Sequence, residues 1–121
     1  MKQSFDLGER LVAFACSIID ISESLPKSFA GSHLAGQLVR SGTSPALNYG
    51  EAQSAESRND FIHKMKIAAK ELRETHYCLK IINAKNWVKG ELILGALDEN
   101  NQLISIFVKS LATARKNNGA P

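Results

Sequence analysis

Gln37, Arg40, Ser44, Asn48 and Glu51 recur at spacings of three or four residues, which on a helix gathers an amide, a guanidinium, a hydroxyl and a carboxylate into one narrow stripe beside the apolar face. An enzyme would have to draw its charged groups from here: Arg40, Glu51 and, from a later helix, Glu71 are the only plausible carriers. The structural alternative is a buried or half-buried polar network. In it Arg40 pairs with Glu51 or with Glu71, and Asn48 satisfies backbone groups freed by Pro45. Buried polar groups need partners, and a proline inside a helix deprives a carbonyl of one, so the structural reading is the one adopted.

Three histidines raise the question of a metal, and spacing argues against it. Asp60 and His63 form one acid-x-x-His pair, whereas a di-metal carboxylate bundle needs two Glu-x-x-His pairs and further inward glutamates. His33 sits at the start of another helix, and His76 follows Glu74 by two residues, on a different helical face. No metal and no other cofactor is expected. Nucleophilic catalysis lacks its motifs too, since there is no Gly-x-Ser-x-Gly elbow and no phosphate-cradling glycine loop, and Gly42 stands alone. Cys16 and Cys78 fall on apolar or near-apolar helical faces, where free buried thiols are the ordinary finding.

A contact surface is better supported. With Phe61, Met65, Ala68, Leu72 and Leu79 turned inward, Lys66, Lys70, Arg73, Tyr77 and Lys80 gather on the opposite side of the same helix. A basic stripe holding an aromatic ring suits phosphate contact and base stacking. A solvated helix face is the plainer alternative, because exposed lysines are common. The formal net charge of +3 is modest, but Arg58, Lys64, Lys66, Lys70, Arg73, Lys80 and Lys85 face only Asp60, Glu71 and Glu74 in that segment, which carries more than the whole excess.

The elements that must position these residues follow from apolar spacing. Leu7, Leu11, Phe14, Ile18, Ile21 and Leu25 form one row at steps of four and three. Phe61, Met65, Ala68, Leu72, Leu79 and Ile82 form another, with Thr75 in step, and Ile93, Leu97, Ile104, Phe107, Leu111 and Ala114 a third, with Asn100 in step. In the second stretch the count runs Leu34, Leu38, Ser41, Pro45, Asn48, Ala52 and Ala55, so polar residues and a proline occupy core positions.

The first helix is predicted to start near Ser4 or Asp6 and to end before Pro26. Pro45 predicts a kink in the second, or a break with Ser44 capping a new start, with a loop as the alternative. Ser57 and Asp60 resemble a capping box opening the third helix, and Asn83 to Gly90 a turn closing it. The fourth runs from about Glu91 to Arg115, with fraying from Asn117 to Pro121. At 121 residues this is an all-α protein of one domain, an antiparallel up-down-up-down four-helix bundle. No apolar run is long enough to span a bilayer, no leader pattern opens the chain, and the composition reads as cytosolic. Ile67, Ile81 and His63, with Leu92, Leu103 and Ile106 outside the fourth helix's seam, give a second partly apolar strip that points to self-association.

The segments Gln37-Leu-Val-Arg-Ser-Gly-Thr-Ser-Pro-Ala-Leu-Asn-Tyr-Gly-Glu-Ala52 and Asp60-Phe-Ile-His-Lys-Met-Lys-Ile-Ala-Ala-Lys-Glu-Leu-Arg-Glu-Thr75 resemble the 23S rRNA intervening-sequence proteins, small bacterial four-helix bundles. The likeness covers nearly the whole chain, and the matching positions are Gln37, Arg40, Ser41, Ser44, Asn48, Glu51, Phe61, Lys64, Glu71 and Glu74. Proline at 45, where many relatives carry isoleucine, is a departure. The resemblance implies an antiparallel bundle, often a homo-oligomer of five around a central channel, without enzymatic activity. Relatives beside diversity-generating retroelements form basic barrels that bind nucleic acid and a reverse transcriptase.

Two function classes follow. One is a non-enzymatic oligomeric adaptor that binds RNA or DNA through basic helix surfaces. The other is an oligomeric scaffold whose partner is another protein.

Overall fold

A computed structural model of the chain describes residues 6–118. Ser4 and residues 119–121 lie outside the described residues, while Asn117 and Asn118, expected to fray, are helical. Four helices, α1 (Leu7–Glu23), α2 (Phe29–Gln53), α3 (Arg58–Ala84) and α4 (Glu91–Asn118), account for nearly all of it. Three begin on side-chain caps that take up a backbone N–H otherwise left without a partner. Asp6 accepts from Glu9, Ser28 from Gly31 and Ser57 from Asp60, each at 3.0 Å.

The α3–α4 turn explains itself in the same terms. Asn86 adopts a left-handed φ of 58°, its N–H donates to the Asn83 carbonyl, and the Trp87 N–H reaches back to Ile82. This is the paired-bond ending in which asparagine replaces the more usual glycine, and it carries α3 past Asn83 to Ala84. Gly90, at φ 77°, then turns the chain into α4.

Each helix packs against its neighbours in the chain, and α4 closes the ring against α1 along a thinner seam. The protein is an all-α, antiparallel up-down-up-down four-helix bundle. All six residues of the predicted α1 row are buried, as are Met65, Ala68, Leu72, Thr75, Leu79 and Ile82 of α3, while Phe61 is half-buried.

In α4 the core row differs from the expected one. Ile93, Asn100, Phe107, Leu111 and Ala114 are buried as expected, but Ala96 and Leu103, the latter 0% exposed, take the places assigned to Leu97 and Ile104. Both rows share Ile93, Asn100 and Phe107, so spacing alone does not choose between them. The neighbours do: Ala96 borders a cleft with Phe14 of α1, whereas Ile104 borders one with Arg73 and His76 of α3. Leu103 therefore leaves the proposed outer strip, which keeps Leu92 and the half-buried Ile106.

α2 runs unbroken through Pro45, so neither a break nor a loop occurs and Ser44 is interior rather than a cap. Proline removes a single donor, the one that would serve the Ser41 carbonyl, while the bonds before and after it persist. Its ring is buried in the core, which offsets that loss. One step away, Gly42 lets α1 approach closely, since a Cβ there would lie 2.6 Å from Cγ2 of Ile18.

Candidate nucleic-acid interface

The α3 stripe is a set of exposed cations. Lys66, Lys70, Arg73 and Lys80 are all solvent-exposed, and none is in an ion pair among the described residues. Tyr77, 65% exposed, stands among them. Lys80 Nζ lies 6.0 Å from its ring centroid, and the His76 ring meets it edge-on at 5.2 Å.

The stripe is not turned squarely away from the bundle. It leans toward α4, where Lys66, Lys70 and Arg73 border a groove of about 450 Å³ floored by Ala69, Val108 and Leu111. Arg115 of α4 completes the rim, a residue that sequence reasoning missed. A signal existed: antiparallel packing sets the end of α4 beside the start of α3, and Val108, Leu111 and Arg115 share a helical face. A smaller depression of about 300 Å³ continues along the seam, lined by Arg73, His76, Tyr77, Asn101 and Ile104.

The α2 stripe is divided into separate sets. Arg40 Nη1 donates to Glu71 Oε1 at 2.8 Å and Nη2 to Gln37 Oε1 at 3.0 Å, with Glu74 as a second carboxylate partner. Glu51 does not reach Arg40; it accepts from Lys64 Nζ at 2.6 Å and raises the lysine pKa by that bond. Asn48 Nδ2 donates to the carbonyl and the hydroxyl of Ser44, at 3.1 and 2.9 Å. These are not the Ser41 carbonyl that Pro45 leaves without its helical donor.

Nor is the Arg40 pair buried. Its side chain is 51% exposed, against 17% for Glu71. Water compensates whichever charge remains when a partner is removed, so Arg40→Ala is expected to lower stability by about 1 kcal/mol, far below the cost of breaking a buried pair. Chemical denaturation of the two proteins checks this.

The fully buried polar groups sit one layer inward. The Thr75 hydroxyl lies 2.9 Å from both Ser41 Oγ and the Glu71 carbonyl oxygen; having one proton, it serves both contacts by donating to the carbonyl and accepting from the Ser41 hydroxyl. Asn100 Nδ2 donates to the Leu72 carbonyl at 2.9 Å, and its Oδ1 is buried without a protein partner.

The remaining chemistry-bearing groups do not assemble. Among the described residues no three His, Cys, Asp or Glu side chains gather closely enough to hold a metal ion. Burial pushes the Cys78 thiol pKa up, Glu74 adds to the rise, and Arg40 opposes it. A raised folded pKa means that the neutral thiol's contribution to stability is complete below the ordinary thiol value of about 8.5 and declines as pH rises past it. Cys16 is exposed and Cys78 buried. A thiol reagent at pH 8 should therefore titrate Cys16 in the native protein and Cys78 only after denaturant is added; two thiols reacting at one rate would contradict this burial.

The family model for 23S rRNA-intervening sequence proteins matches residues 4–109, which takes in all of α1, α2 and α3 and most of α4. The chain belongs to that family. Among solved structures it is similar to a protein with unknown function from the S23 ribosomal protein family of Bacteroides thetaiotaomicron. The two are 28% identical with a TM-score of 0.80, over 88% of this chain and 98% of that one. No curated protein matches. Family membership agrees with the bundle and gives no role to the α3–α4 groove. Among the described residues no helix is long and apolar enough to cross a membrane.

Proposed function

We propose that this protein is a non-enzymatic, oligomeric adaptor that binds RNA or DNA along the α3–α4 groove. The observation that carries the reading is the gathering of cations at one groove. Lys66, Lys70 and Arg73 border it from α3 and Arg115 from α4, with Lys80 further along α3, and the four on α3 are exposed and in no ion pair among the described residues. Cations without an internal partner are available to neutralise phosphates, and each phosphate neutralised releases counterions condensed on the nucleic acid. Catalysis finds no support in the same geometry, because Arg40, Glu51 and Glu71 are engaged in two separate ion-pair sets.

Self-association belongs to this reading. Val12, Leu47, Ile81, Leu92 and Leu94 are large apolar side chains left exposed by the single chain outside the groove, which supports burial against further copies. Five copies is the stoichiometry that the family likeness suggests. Light scattering at micromolar concentration should show an assembly; a monomer alone would count against it.

The test of the whole proposal is fluorescence anisotropy with labelled oligonucleotides at low and high salt, on protein whose assembly has been measured. Binding that weakens steeply with salt is expected. Failure to bind any RNA or DNA at low salt, with the assembly intact, moves the assignment to a protein-binding scaffold.

A further inference from the structure

We infer that the depression between α3 and α4 at Tyr77 is a pocket for an unpaired nucleobase, so that the strand this surface takes is single-stranded. This rests on the nucleic-acid reading above and adds to it the form of the strand and the residue that distinguishes it.

Electrostatics alone does not account for what lies here. A helix surface that met only phosphates would need cations and nothing apolar. Yet Tyr77 keeps 65% of its surface in water, an aromatic ring that the core does not use. The residues around it are of the kinds that read a base. Arg73, His76 and Asn101 wall the depression and Ile104 forms its apolar floor. Unpaired bases are held by stacking on tyrosine or histidine rings or on an arginine plane, with an amide serving their polar edges. At about 300 Å³ the depression is at the small end of ligand pockets, a size that suits one planar ring system.

The order of residues along α3 gives the same picture. Arg73 and Lys80 are seven residues apart, about 10 Å along the helix, and Tyr77 stands between them. Phosphates on either side of a splayed nucleotide would meet Arg73 and Lys80 while its base lies on the tyrosine. Lys80 now rests near the ring, with Nζ 6.0 Å from the centroid, and is free to exchange that contact for a phosphate, the stronger of the two partners. A duplex keeps its bases stacked within the helix and offers Tyr77 none. It would engage the cations alone.

Four probes of equal length separate these cases: a single-stranded RNA, a single-stranded DNA, an abasic strand with the same phosphates, and a duplex. Either single strand should bind at least about 5-fold more tightly than the abasic strand, in line with stacking worth ~1–3 kcal/mol per base. Tyr77→Ala, at an exposed position where folding is undisturbed, should remove that advantage and leave duplex and abasic binding unchanged, whereas Tyr77→Phe should retain it. Equal binding of the abasic and normal strands, or a Tyr77→Ala protein that binds single strands as before, would overturn the base pocket while leaving the electrostatic groove in place. Absence of binding to all four probes would overturn both.

Discussion

Reversing Lys66, Lys70 and Arg73 together to glutamate is expected to abolish nucleic-acid binding without unfolding the protein. The three side chains rim one groove, and none supports the fold through an ion pair among the described residues. Each lost phosphate contact removes on the order of 1 kcal/mol, so three remove at least about 100-fold in affinity, before the repulsion of the new carboxylates is counted. The salt dependence should change with it. A single strand releases roughly 0.7 counterions per neutralised phosphate, so the log–log slope should become shallower by about two in the corresponding neutral variant, Lys66→Gln/Lys70→Gln/Arg73→Gln. Lys64→Gln is the control, because Lys64 is already paired with Glu51. It should weaken binding little. Circular dichroism and light scattering of the triple glutamate protein should match the parent. A triple variant that still binds as the parent does would place the contact surface elsewhere.

Why these residues could be named from sequence, and others could not, is a matter of which interactions are local. The α1 and α3 rows were legible because burial repeats with the helical period, and the α3 stripe is what remains on a helix whose apolar face is known. The caps at Asp6 and Ser57 were legible for the same reason, since a side chain and its N–H target are three residues apart. The α4 core row was ambiguous because a helix with two apolar flanks is oriented by its neighbours. Of the two partners expected for Arg40, Glu71 is the one it takes and Glu51 is not, for a related reason: Arg40 and Glu51 share a stripe, but Glu71 and Lys64 come closer across the α2–α3 seam. Arg115 and the Tyr77 depression needed α3 and α4 side by side. The break and the loop expected at Pro45 fail in another way, since local rules count the lost hydrogen bond and not the buried ring that offsets it.

Glycine to alanine is expected to have opposite signs at different places in α2, and the largest destabilisation at Gly31. On an exposed helix interior the change favours folding by up to about 1 kcal/mol, because glycine loses more backbone freedom than alanine. Gly36 and Gly50 meet this condition, with nothing within 4 Å of an added Cβ, so each variant should be slightly more stable. Gly42 does not. Its Cβ would stand 2.6 and 2.8 Å from two carbons of Ile18, a β-branched side chain that is fully buried and has no free rotamer to move into. Relief requires α1 and α2 to separate, and overpacking of this kind costs ~1–3 kcal/mol, which outweighs the propensity gain. Gly31 is more severe, since the Cβ would lie 2.0 Å from the Pro26 carbonyl oxygen, and the obstacle is backbone in the short α1–α2 turn. A loss of about 3 kcal/mol or more is expected there, with the Ser28 cap displaced as the turn opens. Urea denaturation of the four single variants at one protein concentration reads all of this from midpoints. If Gly42→Ala proves as stable as Gly36→Ala, the close approach of α1 to α2 described above is absent.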